Sequence, residues 1–213
     1  MISVKKLTFN PFQENTYILF DETKECVIID PGCYEQHERD ELTQFIEKNE
    51  LIPVKLISTH SHIDHVLGNK FVMDTYGIDL QIHKQDLQTL IAVPTYAANY
   101  GFTDYQACET PTSFFEEGDK ITFGNSELDI LFVPGHAPGH VAFVAKEEKL
   151  IINGDCLFYE SVGRVDLPGG DAETLVRSIK TKLFALPDDF VVYCGHGPET
   201  SIGFEKANNR FLR

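Results

Sequence analysis

The stretch THSHIDH (59–65) puts three histidines and an aspartate into six positions of a chain that has only eight histidines in all. It continues VKLIS, a short apolar run of the buried-strand kind. From about Asp64 the pattern becomes helical, with Val66, Leu67, Phe71, Val72 and Met73 at the apolar positions. His60 and His62 are two apart on a segment leaving a strand, so their side chains point to the same side. Asp64 and His65 fall at the start of the following helix and point elsewhere. The spacing is not that of HExxH, whose histidines sit four apart along a helix. Two pairs diverging over so short a span suit two neighbouring ions better than one. A solvated, histidine-rich turn is the competing reading.

Three later stretches weigh against that turn. VPGHAPGH (133–140) follows the strand pattern LDILF and offers His136 and His140. INGDCLF (152–158) places Asp155 just after LII, and YCGHG (193–197) places His196 just after VVY. Each lies at the end of an expected strand, the edge where open α/β folds gather their sites. Neutral imidazole and carboxylate suit Zn²⁺, and equally Fe²⁺ or Mn²⁺. No cysteine is needed among the ligands.

The flanking sequence supplies the scaffold. ISVKKLTF, NTYILFD and CVIID read as strands, the first two joined by the turn-forming NPFQE. Residues 36–49 place Leu42, Phe45 and Ile46 on one helical face. The middle, 84–118, is less regular: KQDLQTLIAV reads as helix, after which Pro94, Gly101 and Pro111 break the pattern. ITFG, LDILFVP, HVAFVAK and KLIING are four successive strands, followed by a helix over 172–186 and a last strand, FVVYC. Strands followed by helix, repeated in the second half, predict an α/β fold of two face-to-face sheets with helices outside. With no linker visible, residues 1–213 are expected to form a single domain with this four-layer αβ/βα sandwich.

Composition narrows the partners. The 213 residues carry a formal charge of −15, which repels phosphate backbones and weighs against nucleic acid. No apolar run approaches the ~20 residues that cross a bilayer, so no membrane partner is expected. The N-terminus lacks the apolar core and cleavage site of a signal peptide. The five cysteines are scattered and form no CxxC pair, which fits reduced thiols. The expected location is cytoplasmic; nothing in the sequence sets an oligomeric state.

THSHIDH, GHAPGH, GDCLF and CGHG, in that order and spacing, resemble the metallo-β-lactamase-fold hydrolases, from CVIIDPG to His196. GDCLF followed by GRVDLPGGD (163–171) resembles the glyoxalase II-like branch. The resemblance implies two divalent metal ions, with zinc expected and iron or manganese open. His60, His62 and His136 would hold one, Asp64, His65 and His196 the other, and Asp155 would bridge them. Asp64 would also be catalytic, orienting a metal-bridging hydroxide and accepting its proton. His140 falls outside the ligand pattern and is expected to support or pack. His37 and His83 read as ordinary surface or strand residues. Asp30, in the IIDPG turn, either hydrogen-bonds to a ligand histidine or is a plain turn aspartate. Ala137 departs from the family's usual threonine.

The implied substrate is a small molecule, in the first instance a thioester, because a thiolate leaves with little need of an acid. An iron persulfide dioxygenase of the same fold, with one ion on His60, His136 and Asp155, is the alternative. A non-catalytic metal-binding protein is the third. Arg164 and Asp166 are expected to pair and brace their loop, or else Arg164 faces a substrate carboxylate. Tyr96, Tyr100 and Tyr105 line a substrate mouth or pack in the core. Only 17 residues follow His196, room for one short helix, with Lys206, Arg210 and Arg213 as its cations. That resembles the short form without the glutathione-binding helical domain, so a small, open pocket with weak preference for glutathione conjugates is expected.

Overall fold

The structure, a computed structural model, describes residues 1–213. Its first sheet runs in chain order through β1 (Ser3–Phe9), β2 (Glu14–Phe20), β3 (Glu25–Ile29), β4 (Ile52–Ile57), β5 (Leu80–His83) and β6 (Phe114–Phe115). The first three strands pair antiparallel, the rest parallel. The second sheet contains β7 (Lys120–Phe123), β8 (Ser126–Phe132), β9 (Val141–Ala145), β10 (Leu150–Gly154), β13 (Val191–Cys194) and β14 (Thr200–Ser201), in the order β14-β13-β10-β9-β8-β7. Between β10 and β13, β11 (Leu157–Phe158) and β12 (Ser161–Val162) form a small hairpin. The helices are α1 (Gln36–Lys48), α2 (Ile63–Val66), α3 (Asn69–Tyr76), α4 (Leu87–Tyr96), α5 (Ala172–Thr181) and α6 (Ile202–Asn208). None is long and apolar enough to cross a membrane.

Three apolar clusters mark the three interfaces of the αβ/βα sandwich. Between the sheets, Tyr17, Leu19, Val27, Ile29 and Ile57 meet Ile130, Val141, Phe143 and Ile152. On the outer face of the first sheet, Ile18, Ile28 and Leu56 pack with Leu42, Ile46, Val72 and Leu90 of the helices. On the outer face of the second, Ala142, Val144, Ile151 and Val192 pack with Leu175, Ile179 and Ile202. Neighbours such as Ile18 and Leu19 thus face different cores, which is why these strands read as unbroken apolar runs.

Two local expectations are corrected, and four short strands are added to the reading. Pro94 does not end the helix: α4 continues to Tyr96 and passes into a 3₁₀ turn over Ala97–Tyr100. Proline removes one intrahelical hydrogen bond, and the surface helix ends within a turn of it. The helix expected over 172–186 stops at Thr181, and a 3₁₀ turn covers Leu183–Ala185. Pro187 forces Leu186 into extended backbone (φ −71°, ψ 152°), which shuts off further helix. The strands β5, β6, β11 and β12 have two to four residues, too few for periodicity to register.

Far from the histidines, one carboxylate ties the sheets together. Asp21, in the β2–β3 turn, accepts from Thr23 N (2.9 Å), Thr23 Oγ1 (2.6 Å), Asn125 N (2.7 Å) and Ser126 Oγ (2.8 Å). The last two lie at the β7–β8 turn and the start of β8, in the other sheet. Gly124 in that turn has φ +52°, and a Cβ there would come within 2.4 Å of Asp21 Oδ1, so both backbone and space require glycine. Burial opposes ionisation of Asp21, but the hydrogen bonds outweigh it and hold the pKa at about 2. The folded value lies below the unfolded one of ~3.9, so the contribution is complete above about pH 4 and disappears as pH falls through about 2. Asp21→Asn should destabilise the protein by about 1–3 kcal/mol at neutral pH, because an amide cannot accept from all four donors. Urea unfolding at about pH 6 and about pH 3 checks this: the gap between the two proteins should narrow at the lower pH.

Candidate metal centre

All the expected ligands lie on one edge of the sandwich. His60 follows β4, and His62 is the N-cap of α2, which carries Asp64 and His65. His136 lies between β8 and β9, Asp155 directly after β10, and His196 directly after β13. The loops are fastened to one another by backbone bonds: Val141 N donates to Thr59 O (2.8 Å) and Gly195 N to Gly154 O (2.8 Å). Gly154 has φ +53°, and a Cβ on it would come within 2.4 Å of Thr59 Oγ1. The strand-to-loop turn before Asp155 is therefore confined to glycine.

The first group is His60, His62 and His136, whose ligating nitrogens lie within 4.8 Å of one another. His136 Nε2 is 2.9 Å from His62 Nδ1 and 3.2 Å from His60 Nε2. The opposite ring nitrogens fix which face inwards. His136 Nδ1 donates to Arg164 O (2.7 Å). Thr59 Oγ1 gives its proton to Asp30 Oδ2 and is left to accept from His60 Nδ1 (3.1 Å). The network thus assigns lone pairs to both inward Nε2 atoms. Burial and then the neighbouring His65 hold His60 well below the usual histidine range; burial and then His136 lower His62 to about 3. These two rings stay neutral, the form that binds a metal.

The second group is Asp64, His65 and His196. His196 Nδ1 donates to the carbonyls of Phe12 (3.0 Å) and Gln13 (3.2 Å), while Nε2 faces Asp64 Oδ2 (3.1 Å) and Asp155 Oδ2 (3.4 Å). His65 Nδ1 donates to Asp30 Oδ2 (3.2 Å), and Nε2 then points at Asp155 Oδ1 (3.4 Å) and Asp64 Oδ2 (3.7 Å). Both His65 Nε2 and Asp155 Oδ1 are buried without a hydrogen-bond partner. A lone pair facing carboxylate oxygens in a buried site is stable only with a proton or a cation between them. Burial disfavours charge on His65, yet Asp155 and Asp64 raise its pKa well above the ordinary value; for His196 hydrogen bonds to the same carboxylates overcome burial and raise it to about 10. This pocket attracts positive charge, and the donor set fits divalent ions.

Asp155 joins the groups: Oδ1 approaches His65, and Oδ2 approaches both His196 and His136 (3.6 Å). Burial would raise its pKa, but His65 and its other imidazole neighbours bring it well below the carboxylate range.

His140 stands outside both groups. Its Nε2 accepts from Asp155 N (3.1 Å), and its ring stacks on His60 with centroids 4.8 Å apart. Asp30 accepts from Thr59 as well as His65, so it is a brace rather than a plain turn residue. His83 ends β5, buried and stacked on Phe132, and His37 is exposed. Ala137 is buried, and its turn closes through backbone bonds from Gly135 N and His140 N to its own carbonyl, so no hydroxyl is required.

Several supports carry no local signal in the sequence. Glu14 is fully buried, with Oε2 on Thr16 and Oε1 3.9 Å from His65 Nδ1. Burial raises its pKa against the pull of His65. Asp86, equally buried, accepts from Gly139 N (3.1 Å) and so holds α4 against the loop of His136. Tyr17 OH and Asn15 Nδ2 donate to Cys194 O, tying β2 to the turn of His196. Arg164 and Asp166 pair bidentately at 2.7 Å, as expected, but it is the carbonyl of Arg164 that touches the site.

The centre opens into a cavity of about 1140 Å³ floored by His62, Asp64, His136, Asp155 and His196. The expectation of a small pocket is corrected: the 10–13 loop, α4 with its 3₁₀ extension, and the 155–169 segment stand around it. Tyr96 and Tyr100 line it, whereas Tyr105 packs against the core of the first sheet.

Known proteins match this architecture. Hydroxyacylglutathione hydrolase GloC of Haemophilus influenzae is 35% identical over 212 residues, covering 99% of this chain and 98% of that protein. The crystal structure of the BLEG-1 B3 metallo-beta-lactamase superposes with a TM-score of 0.89 at 32% identity, covering 100% of this chain and 99% of the other. That of TTHA1623 in a di-iron-bound form gives 0.88 at 35% identity, with 98% and 100% covered. A family model described as the metallo-beta-lactamase superfamily matches residues 9–196. That span begins at the end of β1 and stops on His196, so it takes in most of both sheets and every histidine of the cluster, and the chain belongs to the metallo-β-lactamase superfamily.

Proposed function

We propose that the protein is a dinuclear metal-dependent hydrolase of small thioesters. The observation that carries this reading is the position of Asp155 between two inward-facing donor groups. His60, His62 and His136 would hold one ion, Asp64, His65 and His196 the other, with Asp155 shared. Two divalent ions, zinc first and iron or manganese as alternatives, would lower the pKa of a shared water towards ~7 and polarise the substrate carbonyl. The di-iron form of TTHA1623 supports the count of two.

The protein's own groups do the rest. Asp64 is buried on the His196 side, yet its side chain keeps 15% exposure towards the cavity. It orients the attacking water and receives its proton. Arg164, through its carbonyl, and Phe12 and Gln13, through theirs, keep His136 and His196 aimed inwards as charge shifts. A leaving thiolate, with a pKa near ~8.5, departs without an acid. The name of the GloC relative supports a thioester. The compact set of His60, His136 and Asp155 also fits a single Fe²⁺ with open positions, which keeps persulfide dioxygenation as the second reading.

Elemental analysis of protein purified without added metal should find about two ions per chain. One iron per chain, with O₂ uptake on adding a persulfide, selects the second reading. Asp155→Ala and His60→Ala should each lose metal together with nearly all activity. His140→Ala should retain metal and lose about 10–100-fold. A site emptied by His140→Ala but filled in His60→Ala overturns the ligand assignment.

Arg164 is the one lysine or arginine lining the cavity, and it is already paired with Asp166. A glutathione arm carries two carboxylates and finds no second positive partner there. Steady-state kinetics on S-lactoylglutathione, against the same acyl group on a smaller thiol, should show less than about a hundredfold difference in kcat/KM, or ~2.7 kcal/mol. A larger preference reveals a glutathione site.

A further inference from the structure

The cavity walls carry a feature that the metal centre does not require. Phe12, Tyr100 and Tyr159 are three of the eight most exposed large hydrophobic side chains in the chain, and all three line this one cavity. Exposed apolar side chains gathered in one place mark a binding surface. Phe12 and Tyr100 are also held in position, and join the half-buried Tyr96 in one wall. Phe12 meets Tyr100 edge-on at 6.0 Å, and Tyr100 meets Tyr96 at 5.8 Å. Behind them, Phe12 packs at 5.9 Å on Phe102, which is buried and itself packed on Tyr34 at 5.0 Å. The wall is thus continuous from the β1–β2 loop to the end of α4, with a core residue beneath it.

This wall begins at the reacting centre. The carbonyl of Phe12 accepts from His196 Nδ1, so the residue that offers the ring also aims a ligand. Phe158, across the same cavity, lies 6.2 Å from the His196 ring. A substrate arm leaving the floor past His196 meets aromatic rings before it meets water. The only lysine or arginine nearby is engaged with Asp166.

We propose that the rings of Phe12, Tyr96 and Tyr100 form a specificity site for an uncharged, ring-sized apolar arm of the substrate, on either its acyl or its thiol side. The proposal rests on the hydrolase reading above. Stacked and edge-on aromatic pairs attract beyond area burial, so two or three such contacts raise kcat/KM by at least about tenfold. The acyl side is read with acetyl and phenylacetyl thioesters of N-acetylcysteamine. The thiol side is read with thioacetates of ethanethiol and benzyl mercaptan. Each rate is divided by that of alkaline hydrolysis to remove intrinsic reactivity.

In the unaltered, metal-loaded protein at least one side should favour the ring by about tenfold, and that side identifies the arm. Phe12→Ala combined with Tyr100→Ala should bring the ratio to within about twofold. Both substrates are measured on one preparation, so any loss of folded protein cancels. Ratios within twofold on both sides of the unaltered protein, or a ratio that survives the double substitution, overturn the proposal. If none of the four thioesters is hydrolysed, the hydrolase reading fails, and calorimetry with phenylacetate against acetate decides the ring site. Phenylacetate binding about tenfold more tightly upholds it, and equal binding overturns it.

Discussion

A buried carboxylate, Asp155, sets the terms for the rest of the site. A charge taken from water is costly unless it is paired and hydrogen-bonded, and Asp155 sits among His65, His136 and His196 at the point where both donor groups meet. Its backbone N–H is secured by His140, and Gly195 leaves no side chain in its way: a Cβ there would stand 2.1 Å from Asp155 Oδ1. The charge-demanding pair, His65 and His196, follows from this placement, while burial and imidazole neighbours keep His60 and His62 neutral. The centre is asymmetric before any ion enters it.

Holding four imidazoles with lone pairs inward requires four acceptors outside them. Thr59, Asp30, the carbonyl of Arg164 and the carbonyls of Phe12 and Gln13 supply these. Asp30 bears most of this load, since it accepts from Thr59 N and Oγ1 as well as from His65, and it does so with backbone in the left-handed region (φ +50°). A non-glycine residue there costs about 1–3 kcal/mol. The surrounding bonds hold it there because the turn aims the carboxylate at two segments at once.

The parts legible in the sequence are those with local spacing. THSHIDH, GHAPGH, GDCLF and CGHG each follow a run of strand residues, so both the four-layer sandwich and the gathering of His60, His62, Asp64, His65, His136, Asp155 and His196 at one edge could be read in advance. What could not be read depends on distant partners. Glu14 and Asp86 are single acidic residues with no pattern around them, and only the folded chain brings them against His65 and Gly139. The bracing carbonyls of Arg164 and Phe12 leave no trace at all, since every residue has one. The size of the cavity belongs to three loops that are separate in sequence.

The division between floor and walls has a consequence for how such a site changes. Relatives that share about a third of their residues with this chain bear names as different as a hydroxyacylglutathione hydrolase and a B3 metallo-beta-lactamase. The clustered histidines and aspartates sit just beyond strand ends and on the short α2, whereas most of the wall belongs to loops, which tolerate replacement better. Two wall residues nevertheless touch the floor directly: Phe12 through its carbonyl to His196, and Arg164 through its carbonyl to His136. Both contacts are made by backbone. The side chains at 12 and 164 are therefore free to vary without releasing either histidine, so the residues nearest the chemistry can alter what is bound while the ligand geometry stays in place.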